Sequence, residues 1–143
     1  MKVVGLDIGT MNICSAIPAE KNSETTEIKT LRNMFVEVDT DLISVSEIEN
    51  TDLDILQIND GSRERLFIIS EDCLKFSQIF GQSPKRPMSN GVISRNEVDA
   101  PIILRLMIEN LIGKTDKGYC VYSVPALPVD NDSIKTLYHE KIF

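Results

Sequence analysis

The sequence lacks the residue clusters from which metal sites and disulfide frameworks are built. Its cysteines are Cys14, Cys73 and Cys120. They are odd in number and widely spaced, and no CxxC pair or Cys/His cluster accompanies them or the lone His139. A zinc site and a disulfide framework are therefore excluded as interpretations of the sequence.

Positive charge is also scarce. The 143 residues contain 15 lysines and arginines against 22 aspartates and glutamates, which gives a formal net charge of -7. This balance argues against nonspecific binding to nucleic acid or anionic lipid, so no nucleic-acid partner is expected. A nucleotide remains compatible, because backbone N–H groups and a metal ion can hold phosphates locally.

The N-terminus has little of what a targeting or membrane segment needs. Lys2 is its only basic residue, and the short apolar run that follows is broken at Asp7. The sequence therefore predicts no signal peptide and no transmembrane segment. A reducing cytoplasm is the expected location.

What the sequence does contain is a series of short strand signals, enough for one folding unit. Residues 2–8 are β-rich, and residues 13–17 form a second short strand, so the two predict a hairpin with a tight polar turn. Residues 27–38 predict a third extended segment, although a helix is an alternative there. The predicted buried positions of this segment are Ile28, Leu31, Phe35 and Val38.

The middle of the chain predicts a small β insertion with a short helix. Residues 53–58 and 65–70 are apolar and flank an Asp-Gly pair, which is a hairpin signal. Residues 71–80 follow as a short helix. The cap and stop signals of that helix are Ser70 and Gly81.

Two polar stretches surround this insertion. Residues 39–52 are acidic, but they lack the ligand spacing and central glycine of a calcium loop, so a solvated loop is expected. Residues 82–91 form a proline-rich connector, and the charges of Lys85 and Arg86 within it are expected to be solvated.

The strongest helix signal covers residues 100–112. Asp99 fits an N-cap, Pro101 lies in the first turn, and Gly113 follows the last apolar residue. Capping accounts for Asp99, which is therefore not taken as a general base. Apolar residues occupy more than half of the circumference, so we expect the helix to be covered on most sides.

The end of the chain predicts one more strand and one more helix. Residues 119–124 form the strand, which Pro125 closes, and residues 131–142 form the helix, in which His139 is expected at the surface. Strands followed by helices in this order favour an α/β fold.

The segment Asp7-Ile8-Gly9-Thr10-Met11-Asn12 lies where the first strand turns into the second. Gly9 lets the backbone approach a phosphate, and Thr10 and Asn12 can donate to phosphate oxygens. Asp7 can hold Mg²⁺ directly or through its water shell. Taken alone the pattern is weak, because polar turns of this composition also close hairpins that bind nothing.

In its context the segment resembles the first phosphate loop of the actin-like ATPases, most closely that of the bacterial actin MreB. A second segment, Arg86-Pro87-Met88-Ser89-Asn90-Gly91-Val92-Ile93, is similar to the MreB segment that leads into its first long helix. A third, Val124-Pro125-Ala126, resembles the strand end near that family's nucleotide cleft. The three occur in the family's order and at about its spacing, with the weakest similarity between residues 39 and 80.

The resemblance implies a fold and a division of the chain. The expected fold is an α/β, RNase-H-like (actin-type) subdomain with a small β-containing insertion, incomplete at its C-terminal end. Residues 1–38 and 82–143 would form part of the actin-like subdomain IA. Residues 39–81 would form a small inserted subdomain that resembles subdomain IB.

The resemblance also implies cofactors and site residues. ATP and Mg²⁺ are the expected cofactors, with Gly9, Thr10 and Asn12 near the phosphates and Asp7 near Mg²⁺, through water. Conventional actins have a lysine where Cys14 stands here, so that contact is absent, as it is in MreB. Cys14 itself is expected to be a buried strand residue.

The implied function is the N-terminal nucleotide-binding part of an MreB-like ATPase that binds Mg-ATP between two lobes and self-associates into cytoskeletal filaments. The acid that orients the attacking water, the second phosphate loop and the adenosine pocket are not found. We therefore expect a chain that is inactive alone. Either it is truncated from a longer protein that hydrolyses ATP, which the sequence favours, or the missing half is supplied elsewhere. The alternatives are a chaperone-type ATPase and an actin-like adaptor of membrane machinery. A sugar kinase is a third alternative, but its catalytic aspartate and sugar pocket are not found in the sequence.

Overall fold

In the residues that it describes, the computed structural model contains two sheets, a short hairpin and two helices. The first sheet comprises β1 (Lys2–Ile8), β2 (Asn12–Pro18), β3 (Thr26–Arg32) and β9 (Gly118–Tyr122). The second comprises β4 (Phe35–Glu37), β5 (Ile55–Asn59) and β6 (Glu64–Ile69). The remaining elements are α1 (Ser70–Phe80), β7 (Met88–Ser89), β8 (Val92–Ile93) and α2 (Ala100–Ile112). The described residues are 2–19, 24–41, 43, 44, 46, 48, 50–59, 61, 63–113, 117–123, 139 and 141.

The first sheet has the strand order β3-β2-β1-β9. β1, β2 and β3 are antiparallel neighbours, and β9 pairs parallel with β1. The predicted hairpin of the first two strands is therefore confirmed, and so is the late strand, which α2 precedes in the chain. Because α2 packs on β2 and β3, the architecture is mixed α/β, as predicted.

The second sheet has the order β4-β6-β5 and contains the predicted middle hairpin. β5 and β6 are antiparallel, with Asn59 opposite Glu64. Gly61 lies in the turn between them with a φ of 84°, a conformation that favours glycine. The hairpin prediction is confirmed, while the assignment of residues 39–81 to a separate subdomain stays a prediction.

The third extended segment, predicted at residues 27–38, is instead two strands in different sheets. β3 ends at Arg32, and the chain passes through Asn33 and Met34 into β4. The carbonyl of Met34 accepts a hydrogen bond from the N–H of Ser70 at 3.0 Å. Phe35 and Lys85 form two backbone hydrogen bonds with each other, at 2.9 and 2.8 Å. Pairing with these distant segments redirects the strand, which local propensity does not reveal.

Three of the four buried positions predicted in that segment are correct, since Leu31, Phe35 and Val38 are buried. Ile28 is 72% exposed. It pairs with Ala16, on the sheet face opposite the one that carries Leu31. Because side chains alternate along a strand, Leu31 faces the core while Ile28 lies on the open face.

Helix α2 forms the centre of the main hydrophobic core. Its Ile103, Leu104 and Met107 are completely buried. The same core cluster contains residues of both large sheets, among them Leu6, Ile13 and Phe67. The predicted bounds of the helix are confirmed, but its coverage is less complete than expected because Ile102 is 42% exposed. Burial of each large apolar side chain contributes about 1.5–3 kcal/mol to the hydrophobic driving force, which makes α2 the main link between the sheets.

Both residues predicted to cap helices bond to other groups instead. The carboxylate of Asp99 makes no capping hydrogen bond and accepts from Arg65. Ser70 is the first residue of α1, and its hydroxyl accepts from the backbone N–H of Arg32 at 3.1 Å. The helices begin near the predicted positions, but the capping roles are wrong because donors from distant segments compete with the local backbone.

His139 is buried, whereas the sequence placed it at the surface. Its exposed fraction is 1%, and the backbone N–H of Ile93 donates to its Nε2 at 3.0 Å. Burial lowers the pKa of His139 and so favours the neutral imidazole. The rest of the helix predicted at residues 131–142, apart from Lys141, and the segment Val124-Pro125-Ala126 lie outside the described residues.

The end of α1 offers a test of a backbone effect. Gly81 follows the helix with φ 65° and ψ 22°, and no described heavy atom lies within 4 Å of a Cβ built there. Gly81→Ala is therefore expected to lower the free energy of unfolding by about 1 kcal/mol through backbone strain alone. Urea unfolding measures it, with Gln78→Ala on the exposed side of the helix as the control. Equal unfolding midpoints for the two variants would contradict the expectation.

Candidate functional site

The turn between β1 and β2 depends on a glycine for space. Residues 9–11 connect the two strands, and the N–H of Gly9 donates to the carbonyl of Asn12 at 2.9 Å. A Cβ built on Gly9 would meet that same carbonyl oxygen at 2.9 Å, closer than real Cβ atoms approach. Gly9 therefore permits a turn that an alanine would force to shift.

The four predicted site residues are brought together in this one hairpin. Asp7 lies one residue before the end of β1 with an exposed side chain, opposite Cys14 in β2. Thr10 is half-buried in the turn, and Asn12 is exposed at the first position of β2. Their assignment to phosphate and Mg²⁺ stays a prediction.

Sequence reasoning missed Asn33, which lies beneath the turn. Its side chain is completely buried, and its Nδ2 donates to the carbonyl of Gly9 at 2.8 Å. Its backbone N–H donates to the carbonyl of Met11 at 2.9 Å. The Oδ1 of Asn33 is buried without a hydrogen-bond partner in the described part of the chain. Such a burial costs about 1–3 kcal/mol, so stability alone does not explain an asparagine here.

Arg86 also contacts the turn, although the sequence predicted a solvated charge. Its Nη1 donates to the carbonyl of Asn33 at 3.2 Å and, over a longer distance of 3.4 Å, to that of Thr10. The prediction for Arg86 is therefore wrong, because the connector folds back against the hairpin. Its neighbour Lys85 forms an ion pair with Glu97 at 3.1 Å.

A second hairpin holds the turn from another side. β7 and β8 are joined by Asn90 and Gly91, which have φ values of 53° and 78°. This is the Asn-Gly pair typical of two-residue hairpins, and it went unnoticed inside the predicted connector. The N–H of Gly91 donates to the Oγ1 of Thr10 at 2.9 Å. Two of the three sequence segments that carried the resemblance are thus in direct contact.

The turn retains hydrogen-bond donors for a ligand. Among the described residues, no acceptor pairs with the backbone N–H of Thr10 or Met11. The hydroxyl of Thr10 accepts from Gly91, so its own proton remains available to donate. Two successive backbone N–H groups beside a hydroxyl form a suitable site for an anion.

The donor set near Asp7 fits Mg²⁺ bound mainly by water and phosphate. In the described ranges, His, Cys, Asp and Glu form no group of three or more that could hold a metal ion. Mg²⁺ commonly keeps several waters and takes only one or two protein carboxylates beside the phosphates of a substrate. The single exposed carboxylate of Asp7 matches this pattern.

In the described part of the chain, no helix is long and apolar enough to cross a membrane.

Two of the cysteines, Cys14 and Cys73, lie in β2 and α1. Cys14 is half-buried, as a strand residue on the open face, and its Sγ lies 3.5 Å from the Oγ1 of Thr30. Cys73 is completely buried in α1, where burial raises the pKa of its thiol to about 11. A thiol with such a pKa is inert at neutral pH.

A network of ion pairs centred on Arg65 joins the second sheet to the start of α2. Arg65 of β6 donates through Nη1 and Nη2 to Asp99 at 2.9 and 2.7 Å, and through Nε to Glu37 at 2.7 Å. Hydrogen bonds from Arg65 lower the pKa of Asp99, and its charge adds to the effect. Asp99 is therefore an ionised structural carboxylate, fixed by the arginine.

Comparison with solved structures identifies the fold. The crystal structure of the apo pSK41 ParM protein matches 99% of this chain with a TM-score of 0.59 and 15% identity, over 41% of its own length. Bacillus thuringiensis ParM with ATP matches 96% of this chain with a TM-score of 0.47 and 14% identity, over 36% of its length. At such identity the pSK41 match shows the fold alone, which is the actin-like fold of ParM. The chain therefore spans less than half of the length of that ParM protein, namely 41%.

Comparison of the sequence itself identifies the family. No curated protein matches the chain. The model of the Volactin family matches residues 1–143, which is the whole of the sequence. The chain therefore belongs to the Volactin family.

Proposed function

We propose that this chain is the N-terminal nucleotide-binding part of an actin-like ATPase that binds Mg-ATP between two lobes and forms cytoskeletal filaments. One observation carries the proposal: the turn at residues 9–11 keeps two backbone N–H groups without an acceptor in the described part of the chain. The contact between Thr10 and Gly91 supports it, because it joins two of the three segments that resemble the actin-like ATPases.

Each site residue has a defined role in this proposal. The N–H groups of the turn and the side chains of Thr10 and Asn12 bind the β- and γ-phosphates, and Gly9 permits their close approach. Asp7 would hold Mg²⁺ through its hydration shell. Bound Mg²⁺ would neutralise charge on the phosphate oxygens during in-line attack by water. The closer relation to MreB, the RNase-H-like subdomain and the cytoplasmic location are parts of the same proposal.

The proposal is tested first by calorimetric titration of the full-length protein with Mg-ATP. Asp7→Asn removes the carboxylate while keeping its shape, so it is expected to weaken Mg-ATP binding about tenfold. Chelation of Mg²⁺ with EDTA should weaken binding of the wild-type protein and abolish the difference between the two proteins.

The matched control is Asp52→Asn, which makes the same charge change at an exposed position outside the hairpin. It should bind Mg-ATP like the wild type. No binding by the wild type, or equal loss in both variants, would refute the nucleotide site. Sedimentation with Mg-ATP then tests assembly, and binding without pelleting would favour the chaperone-type or adaptor alternative.

A further inference from the structure

We infer that Asn33 and Arg86 are positioning residues for the phosphate site, which orient the peptide groups of the turn between β1 and β2. Neither belongs to the hairpin or to the set of ligand-binding residues proposed above. The inference rests on the proposed function for its ligand, but its structural part concerns the ligand-free protein and can be tested alone.

All three carbonyls of the turn accept hydrogen bonds from Asn33 or Arg86. The carbonyl of Gly9 accepts from Asn33 Nδ2 at 2.8 Å, and that of Met11 accepts from the Asn33 backbone N–H at 2.9 Å. The carbonyl of Thr10, between them, accepts from Arg86 Nη1 at 3.4 Å. Three successive peptide groups are thus held by these two residues.

Because the peptide bond is planar, the direction of each carbonyl in the turn determines the direction of the next N–H. No cis peptide occurs among the described residues, so the C=O and the following N–H of each peptide group point in opposite directions. A carbonyl held by Asn33 or Arg86 therefore directs the N–H of Thr10, Met11 or Asn12 away from those residues. Holding the carbonyls fixes the direction of the donors that face a phosphate.

Asn33 and Arg86 act as one unit. Arg86 also donates to the backbone carbonyl of Asn33 at 3.2 Å, so each restrains the other. Asn33 is completely buried, and its Oδ1 finds no partner in the described ranges. The position uses the donor half of the amide and leaves the acceptor half unsatisfied, which is expected of a residue needed for its contact with Gly9.

A purely structural role would give a different pattern of effects. If Asn33 only joins β3 to β4, its replacement should change global stability and leave the turn as it is. If it orients the turn, its replacement should loosen the turn and weaken phosphate binding selectively, with little effect on a nucleoside that lacks phosphate.

The first experiment measures amide hydrogen exchange in the ligand-free, full-length protein. In Asn33→Leu and in Arg86→Met, the amides of Gly9 and Gly91 should exchange about fivefold to tenfold faster than in the wild type. Amides inside α2 should be unchanged. Asn110→Leu, an exposed change on α2, is the control. Unchanged exchange at Gly9 in both variants overturns the inference, whatever the protein binds.

The second experiment compares Mg-ATP with adenosine as ligands of the same variants. Both variants should bind Mg-ATP about fivefold to tenfold more weakly, with adenosine binding unchanged, and Arg86→Lys should restore part of the loss because it keeps a charged donor. Normal Mg-ATP affinity in the variants would overturn the inference. Absence of Mg-ATP binding by the wild type would refute the proposed function, while the exchange experiment still decides the role of Asn33. If Asn33→Leu does not fold, Arg86→Met decides both experiments.

Discussion

Replacing Arg65 with methionine is expected to lower the free energy of unfolding by about 3 kcal/mol, because two carboxylates then lose their shared partner. The side chain of Arg65 is only 16% exposed, and it bonds to Glu37 and to both oxygens of Asp99. Its guanidinium also lies 5.0 Å from the centre of the Phe67 ring. Methionine keeps much of the apolar contact, so the loss measures mainly the ion pairs.

The same variant predicts a pH dependence. The pKa of Asp99 is lowered in the folded protein, first by hydrogen bonds from Arg65. A carboxyl group with a lowered folded pKa stabilises the protein above its unfolded pKa of about 3.9, and the contribution is lost as the pH falls below that value. The difference in stability between wild type and Arg65→Met should therefore be full at neutral pH and shrink below about pH 4.

Urea unfolding at neutral and acidic pH measures both effects. Arg105→Met is the matched control, because that side chain is 72% exposed and pairs with Glu109 of the same helix. It should change the free energy of unfolding by no more than about 0.5 kcal/mol. Equal changes in the free energy of unfolding for the two substitutions at neutral pH would show that the Arg65 ion pairs do not join the second sheet to α2.

The second large effect is expected at the turn itself. Gly9→Ala places a Cβ 2.9 Å from the carbonyl oxygen of Asn12, and this neighbour is backbone, so the turn must move. Such a shift would misalign the donors that are proposed to face the phosphate. We expect Mg-ATP affinity of the full-length protein to fall by about 30-fold to 100-fold, as is common when a positioned group is displaced.

Gly5→Ala is the control for this substitution, since it adds the same methyl group to β1, the strand that precedes the turn. The nearest atom to a Cβ at Gly5 is the Cβ of Ala16 at 3.6 Å, an ordinary contact. Gly5→Ala should bind Mg-ATP with nearly normal affinity. Titration calorimetry distinguishes the two, and normal binding by Gly9→Ala would contradict the proposed geometry.

The parts of the fold that the sequence predicted well are those with their signals close together. The bounds of α2 follow from Pro101 at its start and Gly113 at its end, and the middle hairpin follows from the glycine between two apolar runs. In these cases the residues that determine the structure lie within or beside the element. Local propensity and turn chemistry are then sufficient.

The parts that failed depend on partners far away in the chain. Asp99 resembles a cap until Arg65, which lies 34 residues earlier, is placed beside it. Asn33 resembles an ordinary strand residue, because its contact with Gly9 spans 24 residues. Arg86 resembles a solvated charge until the connector folds back on Thr10. The turn motif and its resemblance therefore predicted candidate ligand-binding residues, which stay a prediction, but not the residues that hold the turn.

The proposed nucleotide site depends on the turn at residues 9–11 binding the phosphates of Mg-ATP. The most direct measurement is a structure of the full-length protein with Mg²⁺ and a non-hydrolysable ATP analogue. We expect phosphate oxygens within hydrogen-bond distance of the Thr10 and Met11 N–H groups, and Mg²⁺ joined to Asp7 through water. A nucleotide bound elsewhere, with this turn facing solvent, would contradict it.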